Sequence, residues 1–249
     1  MNATLVKVTT KVETPEDCLR KAMAAKTARV RGLHARRGLA KRGGLEKTTH
    51  AMLLRQLYLS LFEGQHFDRA LEVAKQALTL DVLTDVLAQD AARAAIAAGY
   101  LDEGLLHLRA AARRGPASRR PFHLWTLGSA LFLAGRHREA VASLERAARW
   151  GTSDKPLYRA HLALAKLACG EPIENIERTI HELAEAPCGQ GYGRFLLGHL
   201  AYAAGDGLAA QRYLEAFVKR TESSRPGLAI ALRGELIMAR TTLAKMQAN

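Results

Sequence analysis

Histidines and cysteines are the residues of this 249-residue chain that could most readily bind a metal or act as nucleophiles. Their spacing supports neither role. The segment HELAE at 181–185 lacks the second histidine of the metalloprotease zinc motif. Cys18, Cys169 and Cys188 form no C-x-x-C pair, which argues against a zinc ribbon or a disulfide framework. We therefore predict no catalytic residue, no metal and no cofactor, and we expect free thiols in a reducing compartment.

A glycine run, GQGYG at 189–193, is the other pattern that could bind a small ligand. It opens a segment with helical periodicity, and the N-terminus of a helix can hold a phosphate. A dinucleotide-binding fingerprint requires a strand before the glycines, but here a helical segment precedes them. The sequence also lacks a P-loop and a G-x-S-x-G nucleophile motif. A flexible turn between two helical units accounts for the run better than a ligand site does.

The elements that position these residues follow from an internal repeat. In each of five segments an apolar pair precedes a glycine, and a residue that is usually small stands five or six places after that glycine. This position recurs at intervals of 34, 36, 35 and 35 residues, at Ala70, Gly104, Ala140, Asn175 and Ala210. Such a period is typical of two helices joined by a tight turn, in which the glycine adopts the left-handed conformation that ends the first helix. The turn glycines are predicted to be Gly64, Gly99, Gly135, Gly170 and Gly205.

These segments resemble the tetratricopeptide repeat family. The third unit carries its features most clearly, with the pair Leu127-Gly128, the turn glycine Gly135, and Glu139 before Ala140. The resemblance covers residues 50–222, in units that begin near residues 51, 85, 121, 156 and 191. It implies an all-α fold, a right-handed α-solenoid of stacked helix-turn-helix repeats. The fourth unit has Asn175 where the family has alanine, so we expect it to stack less tightly.

The two ends of the chain are predicted to flank these repeats. Residues 1–14 are expected to be disordered, and residues 15–49 to form a basic helical segment or a degenerate repeat. Residues 224–249 are expected to hold a C-terminal capping helix, one amphipathic helix over 226–247. The N-terminus has no secretory signal and no segment is apolar enough to span a membrane, so we expect a cytoplasmic location.

In the family's fold the first helix of each unit lines a concave groove, which binds a peptide or helix of another protein. The resemblance therefore implies a non-enzymatic scaffold or adaptor. Aromatic side chains, which commonly anchor protein partners, concentrate in the third and fifth units. The asparagines of a carboxylate clamp are missing, because Leu59 and Asp90 stand in their places. The groove positions, taken from the repeat register, are Arg55, Gln89, Arg93, Phe122, Trp125, Ser129, Phe132, Tyr192, Phe195, His199 and Tyr202.

The charge distribution leaves an alternative function open. The net charge is +13, of which residues 1–48 contribute +8 from twelve basic and four acidic residues. A basic segment attracts nucleic acid, an anionic membrane surface or an acidic partner. No aromatic residues are interspersed for base stacking, so binding of nucleic acid would be electrostatic and independent of sequence. The predicted basic patch comprises Arg29, Arg31, Arg36, Arg37, Lys41, Arg42, Arg113, Arg114, Arg119 and Arg120.

Overall fold

A computed structural model describes residues 13–41 and 44–248, and within these ranges the chain is helical without a β-strand. The predicted all-α fold is therefore confirmed. Most of the segment predicted to be disordered lies outside the described residues. The helices are α1 (Pro15–Ala24), α2 (Ala28–Leu39), α3 (Lys47–Glu63), α4 (Phe67–Leu78), α5 (Thr84–Ala97), α6 (Leu101–Arg114), α7 (Arg120–Leu133), α8 (His137–Trp150), α9 (Lys155–Ala168), α10 (Ile176–Glu185), α11 (Gly193–Ala203), α12 (Gly207–Ser223), α13 (Pro226–Ala231) and α14 (Arg233–Ala248).

In the described part of the chain, α1 to α12 pack as six consecutive helical hairpins, each stacked on the next. A single hairpin cannot bury its apolar face, so the stack supplies one continuous core. Direct contacts join α3 to α5, α7 to α9 and α9 to α11, all of them first helices of their hairpins. The first helices thus lie on the inner, more crowded side of the solenoid. We call the surface formed by α3, α5, α7, α9 and α11 the concave face.

Left-handed residues form the turns within five hairpins. Gly99, Gly135, Gly170 and Gly205 have φ between 74° and 93°, as predicted. In the α3–α4 hairpin the left-handed residue is Gln65, with φ 59°, whereas Gly64 has φ −82°. The prediction for Gly64 is therefore wrong by one residue. Gln65 lies five positions before Ala70, which is the same offset as in the other hairpins.

The fourth repeat, α9–α10, has the shortest second helix of the five predicted repeats. Its second helix begins only at Ile176, because the side chain of Asn175 caps that helix by accepting a hydrogen bond from the Arg178 N–H at 2.9 Å. Leu183 is the one residue that α10 buries fully, whereas α8 buries five. A shorter helix with less buried apolar area packs more weakly.

The glycine run at 189–193 has a structural explanation in the same hairpin. A Cβ atom added at Gly189 would lie 2.0 Å from the Leu183 carbonyl oxygen, and one added at Gly193 would lie 2.5 Å from that of Cys188. Any side chain there would collide with backbone. The run therefore permits a close turn between α10 and α11, which agrees with the turn predicted from the sequence.

The N-terminal hairpin α1–α2 packs on α3 as an additional unit of the stack. The approach is close, because a Cβ atom at Gly38 would lie 2.7 Å from a methyl group of Leu53. Cys18, Ala22 and Ala35 are fully buried. Of the two predicted alternatives for this segment, the arrangement matches an extra repeat.

The C-terminal segment differs most from its prediction. It is not one helix but two, because the chain leaves helical geometry at Leu232 (φ −107°, ψ 24°). α14 packs on α12 and α11, while α13 contacts α3 and α5 at the other end of the solenoid. Residues 226–239, which we call the strap, therefore cross the concave face. Amphipathicity predicted that this segment packs against the repeats, but not the path that it takes.

Candidate binding groove

Aromatic side chains cluster on the C-terminal half of the concave face. The Trp125 indole N–H donates to Nδ1 of His161 at 3.1 Å, which fixes the half-buried ring. Tyr192 meets that ring edge-on, with centroids 5.0 Å apart, and Phe122 lies 5.8 Å away on the other side. Three residues predicted for the groove therefore meet in space, although they come from two repeats that lie far apart in sequence.

Within this half of the face, the exposed aromatic surface belongs to Phe122 and Tyr202, which are 37% and 40% exposed. Trp125, which lies on α7 three residues after Phe122, contributes a partly covered ring. Rings of this kind offer a large apolar area at little cost in conformational entropy, which suits the anchoring of a partner.

Other predicted groove residues lie inside the protein. Phe195 has no exposed surface, because its ring packs on His199 and on Phe217 of α12, at centroid distances of 4.6 and 5.5 Å. The expectation that Phe195 faces the groove is corrected: it faces the partner helix of its own hairpin. Phe132 is also in the core, 5.4 Å from the ring of His161.

Two histidines below the concave face are buried and neutral. Burial lowers the pKa of His161 to about 3 and that of His199 to about 4. Nε2 of each ring has no hydrogen-bond partner among the described residues. No group of three or more His, Cys, Asp or Glu side chains in the described ranges is arranged to hold a metal ion.

The N-terminal half of the concave face is polar instead. Nε of Arg55 lies 2.6 Å from the Asp90 carboxylate, and Nη1 of Arg93 lies 3.8 Å from the other oxygen. Burial raises the pKa of Asp90, and Arg55 opposes that shift. Gln89 beside it is buried as well. Arg55 is therefore paired with an internal carboxylate.

Among the described residues, Glu235 of the strap reaches the concave face although the sequence prediction did not include it. Its side chain is 4% exposed, and its Oε1 accepts hydrogen bonds from the Tyr192 hydroxyl at 3.2 Å and the Ser129 hydroxyl at 3.5 Å. Burial raises the Glu235 pKa to about 7. A signal existed in the sequence, since Glu235 lies on the apolar face of its helix, beside Leu236 and three residues after Leu232.

The basic residues do not form one patch. Arg29, Arg36 and Arg37 are exposed on α2, and Arg113 and Arg114 are exposed at the end of α6, four helices further along the chain. Arg42 lies outside the described residues. Lys41 lies 3.9 Å from Glu13.

Two arginines of the predicted patch have structural roles. Nη1 of Arg31, which is 7% exposed, lies 2.7 Å from Glu63 of α3. Arg119 holds Asp85 with two hydrogen bonds of 2.8 and 3.0 Å, and the His123 ring lies 2.9 Å from the same carboxylate. Burial alone would raise the Asp85 pKa, but these partners outweigh it and hold the pKa at about 2. Arg31 is therefore corrected from a surface cation to an ion pair within the stack, whereas Arg119 stays half-exposed while it pairs with Asp85. Arg120 is only partly exposed.

Comparison with known proteins adds no family assignment. No protein-family model matches the sequence, and no curated protein matches it either. Similar solved structures include a crystal structure of MamA, with 19% identity over 63% of this chain and 89% of that chain (TM-score 0.44). Another is the structure of Naa15/Naa10 bound to HypK-THB, with 17% identity over 93% of this chain but only 37% of that chain (TM-score 0.47). No helix in the described residues is long and apolar enough to cross a membrane.

Proposed function

We propose that this protein is a non-enzymatic scaffold that binds a helix or an extended peptide of another protein on its concave face. The observation that carries the proposal is that this face already accommodates a helical segment. The strap lies on it through apolar contacts at Ile230 and Leu236 and through hydrogen bonds at Glu235. A surface that accepts one helix in this way has the curvature and the mixed chemistry that helix-in-groove recognition requires.

The aromatic side chains of α7 and α11 support the proposal. Phe122 and Tyr202 leave more than a third of their surface uncovered, although the chain has few aromatic residues to expose. The packing of Trp125 against Tyr192 and His161 holds the ring in one orientation. An anchor that is already ordered loses little entropy when a partner binds.

The test compares captured partners among matched aromatic variants. Phe122→Ala removes an exposed ring of the groove, whereas Trp150→Ala removes a 44% exposed ring on α8, a second helix. Proteins cross-linked to the intact chain in an extract are quantified by mass spectrometry. We expect Phe122→Ala to weaken capture of the groove partner about tenfold or more, and Trp150→Ala to leave it unchanged. Equal capture by both variants would contradict groove binding.

The alternative function is electrostatic binding of nucleic acid or an anionic membrane surface through the exposed arginines of α2. Its supporting observation is that Arg29, Arg36 and Arg37 point away from the stack. Charge reversal at Arg36 and Arg37 would then abolish binding, and affinity would fall steeply between low and physiological salt. Groove binding would survive this charge reversal, because Arg36 and Arg37 lie on α2 and not on the concave face, and this separates the two functions.

A further inference from the structure

The strap covers the surface that the proposed function assigns to a partner. α13 lies on α3 and α5, Gly234 approaches Leu133 of α7, and Glu235 bonds to Ser129 of α7 and Tyr192 just before α11. These contacts run from the first tetratricopeptide-like hairpin to the last. The chain therefore carries an occupant for its own concave face.

The strap is attached unevenly. α13 has no buried residue, and its Leu228 is 40% exposed. At the start of α14, by contrast, Glu235, Leu236 and Ala239 are at most 7% exposed. The chain between the two parts is non-helical at Leu232. Segments with few buried apolar contacts open at low free-energy cost, so α13 can leave the face while the rest of the stack stays folded.

The polar contact at Glu235 is specific rather than merely stabilising. Ser129 and Tyr192 lie within 3.0 Å of each other and both face its carboxyl group. An apolar residue at this position would cover the core without the cost of burying a carboxyl group. Two hydroxyl donors instead select a side chain with an acceptor oxygen and fix the register of the helix that carries it.

We propose that the strap is an internal stand-in for the partner, and that the partner is an acidic amphipathic helix which displaces it. That helix carries a carboxyl side chain followed directly by a large apolar residue, with a small residue three positions further, as in Glu235, Leu236 and Ala239. The inference rests on the proposed function and states the chemistry of its partner.

Charge explains how an external helix competes with a tethered one. The strap itself is nearly neutral, since it carries only Arg233 and Glu235. The whole chain has a net charge of +13, which attracts an acidic helix over distances of about a Debye length. A competitor can bind only the molecules in which the strap has left the face. Its apparent association constant is therefore the intrinsic constant multiplied by the fraction of open molecules.

The experiment uses the full chain and a fluorescent peptide with the sequence of the strap, residues 226–239, which has no net charge. Glu235→Arg places a cation against Ser129 and Tyr192 and should release the strap, so this variant should bind the peptide at least tenfold more tightly than the wild type does. The matched control is Ile237→Arg, on the 56% exposed side of the same helix, which should bind like the wild type. A peptide with Arg at the position of Glu235 should bind to neither.

A reversible lock tests the opposite direction. A Cβ atom at Gly227 would lie 3.1 Å from Cγ of Glu63, which is within reach of a disulfide. In a chain with Glu63→Cys and Gly227→Cys, oxidation should weaken binding of the peptide at least tenfold compared with the reduced form. Reductant should leave the wild type unchanged, which controls for the three native cysteines.

Two results would overturn the inference: no binding to the Glu235→Arg chain at millimolar peptide, or equal binding by the locked and reduced forms. If Glu235→Arg loses its helical circular dichroism signal, Leu228→Asp on weakly held α13 replaces it, with the same expectation. Failure here is distinct from failure of the proposed function. If the peptide does not bind while Phe122→Ala still abolishes partner capture, the groove functions without strap mimicry.

Discussion

The two ends of the solenoid meet at one residue, Glu63, and are held there in different ways. From the N-terminal hairpin, Nη1 of Arg31 lies 2.7 Å from its carboxylate, and both side chains are largely buried. From the C-terminal side, Gly227 of the strap approaches the methylene groups of Glu63. The first contact is an ion pair between closely packed helices. The second is a contact made by α13, a short helix that buries no residue.

This difference shows what amphipathicity can and cannot specify. Both terminal segments have an apolar side that must be covered. The N-terminal one uses small residues, so its helices approach α3 closely and become part of the stack. The strap uses larger side chains with a polar one among them, and it lies across the open face. The number of buried residues, together with the small size of most of them, separates the added hairpin from the docked segment.

The largest expected effect tests the strap through its buried carboxyl group. The folded pKa of Glu235, about 7, is above 4.5, the usual value for a glutamate side chain. The contribution of the protonated Glu235 side chain to the stability of the folded protein is therefore fully present below about pH 4.5, and it is lost as the pH rises through 7. Glu235→Gln keeps an acceptor oxygen for Ser129 and Tyr192 but cannot ionise. We expect it to stabilise the protein at pH 8 by up to about 3 kcal/mol and to have little effect at pH 4.5, as measured by urea unfolding.

The buried histidines do not affect the comparison of Glu235→Gln with the wild type at the two pH values. Their lowered pKa values destabilise the folded state as the pH falls below about 6.5, but they do so equally in the wild type and in the variant. Glu171→Gln, at an exposed position, serves as the control and should change nothing at either pH. An equal stability difference for Glu235→Gln at pH 4.5 and pH 8 would show that the Glu235 side chain is not buried against the concave face.

Hydrogen exchange compares the two ends directly. Amide protons of α13 should exchange at least about a hundredfold faster than those of α2, because α13 buries no residue while α2 buries four. Mass spectrometry of peptides covering 226–232 and 28–39 measures both in one sample. Equal protection of the two helices would remove the distinction between an integral end and a displaceable one.

A pair of glycine substitutions tests the same distinction by packing. Gly38→Val forces methyl groups against Leu53 and Cys18, and overpacking of this kind costs about 2 kcal/mol. Gly227→Ala meets only the flexible side chain of Glu63, and alanine favours a helix, so we expect a change within about 0.5 kcal/mol. Denaturant midpoints with unchanged slopes measure both. Similar losses for the two variants would mean that the strap is packed as tightly as the N-terminal hairpin.

The sequence predicted the fold better than the site because the two depend on different ranges of contact. Hairpin turns and helix pairing follow from local features, such as the residue five places before Ala140 or Ala210. The groove depends on which side of a helix another segment covers. Repeat register placed Trp125 and Tyr192 on one face, but it could not show that Phe217 of α12 encloses Phe195, or that Glu235 returns from the C-terminus.

The turn that follows Glu63 provides the smallest expected effect. Gln65 has φ 59°, a conformation that costs a residue with a side chain roughly 1 kcal/mol more than glycine. Glycine occupies this place in the other four repeats. Gln65→Gly should therefore stabilise the protein by about 0.5 kcal/mol, since part of the gain is lost to the entropy of the unfolded chain.

The same substitution elsewhere should have the opposite sign. Gln76→Gly, on the exposed side of α4, should destabilise the protein by about 0.5–1 kcal/mol, because glycine is a poor helix former. Thermal unfolding of the two variants beside the wild type gives both values. Gln65 lies in the turn directly after α3, the helix that carries Glu63. A stabilising Gln65→Gly should therefore also slow amide hydrogen exchange in the N-terminal hairpin more than in the strap. Destabilisation by Gln65→Gly would mean that the side chain of Gln65 makes a contact that outweighs the strain of its backbone.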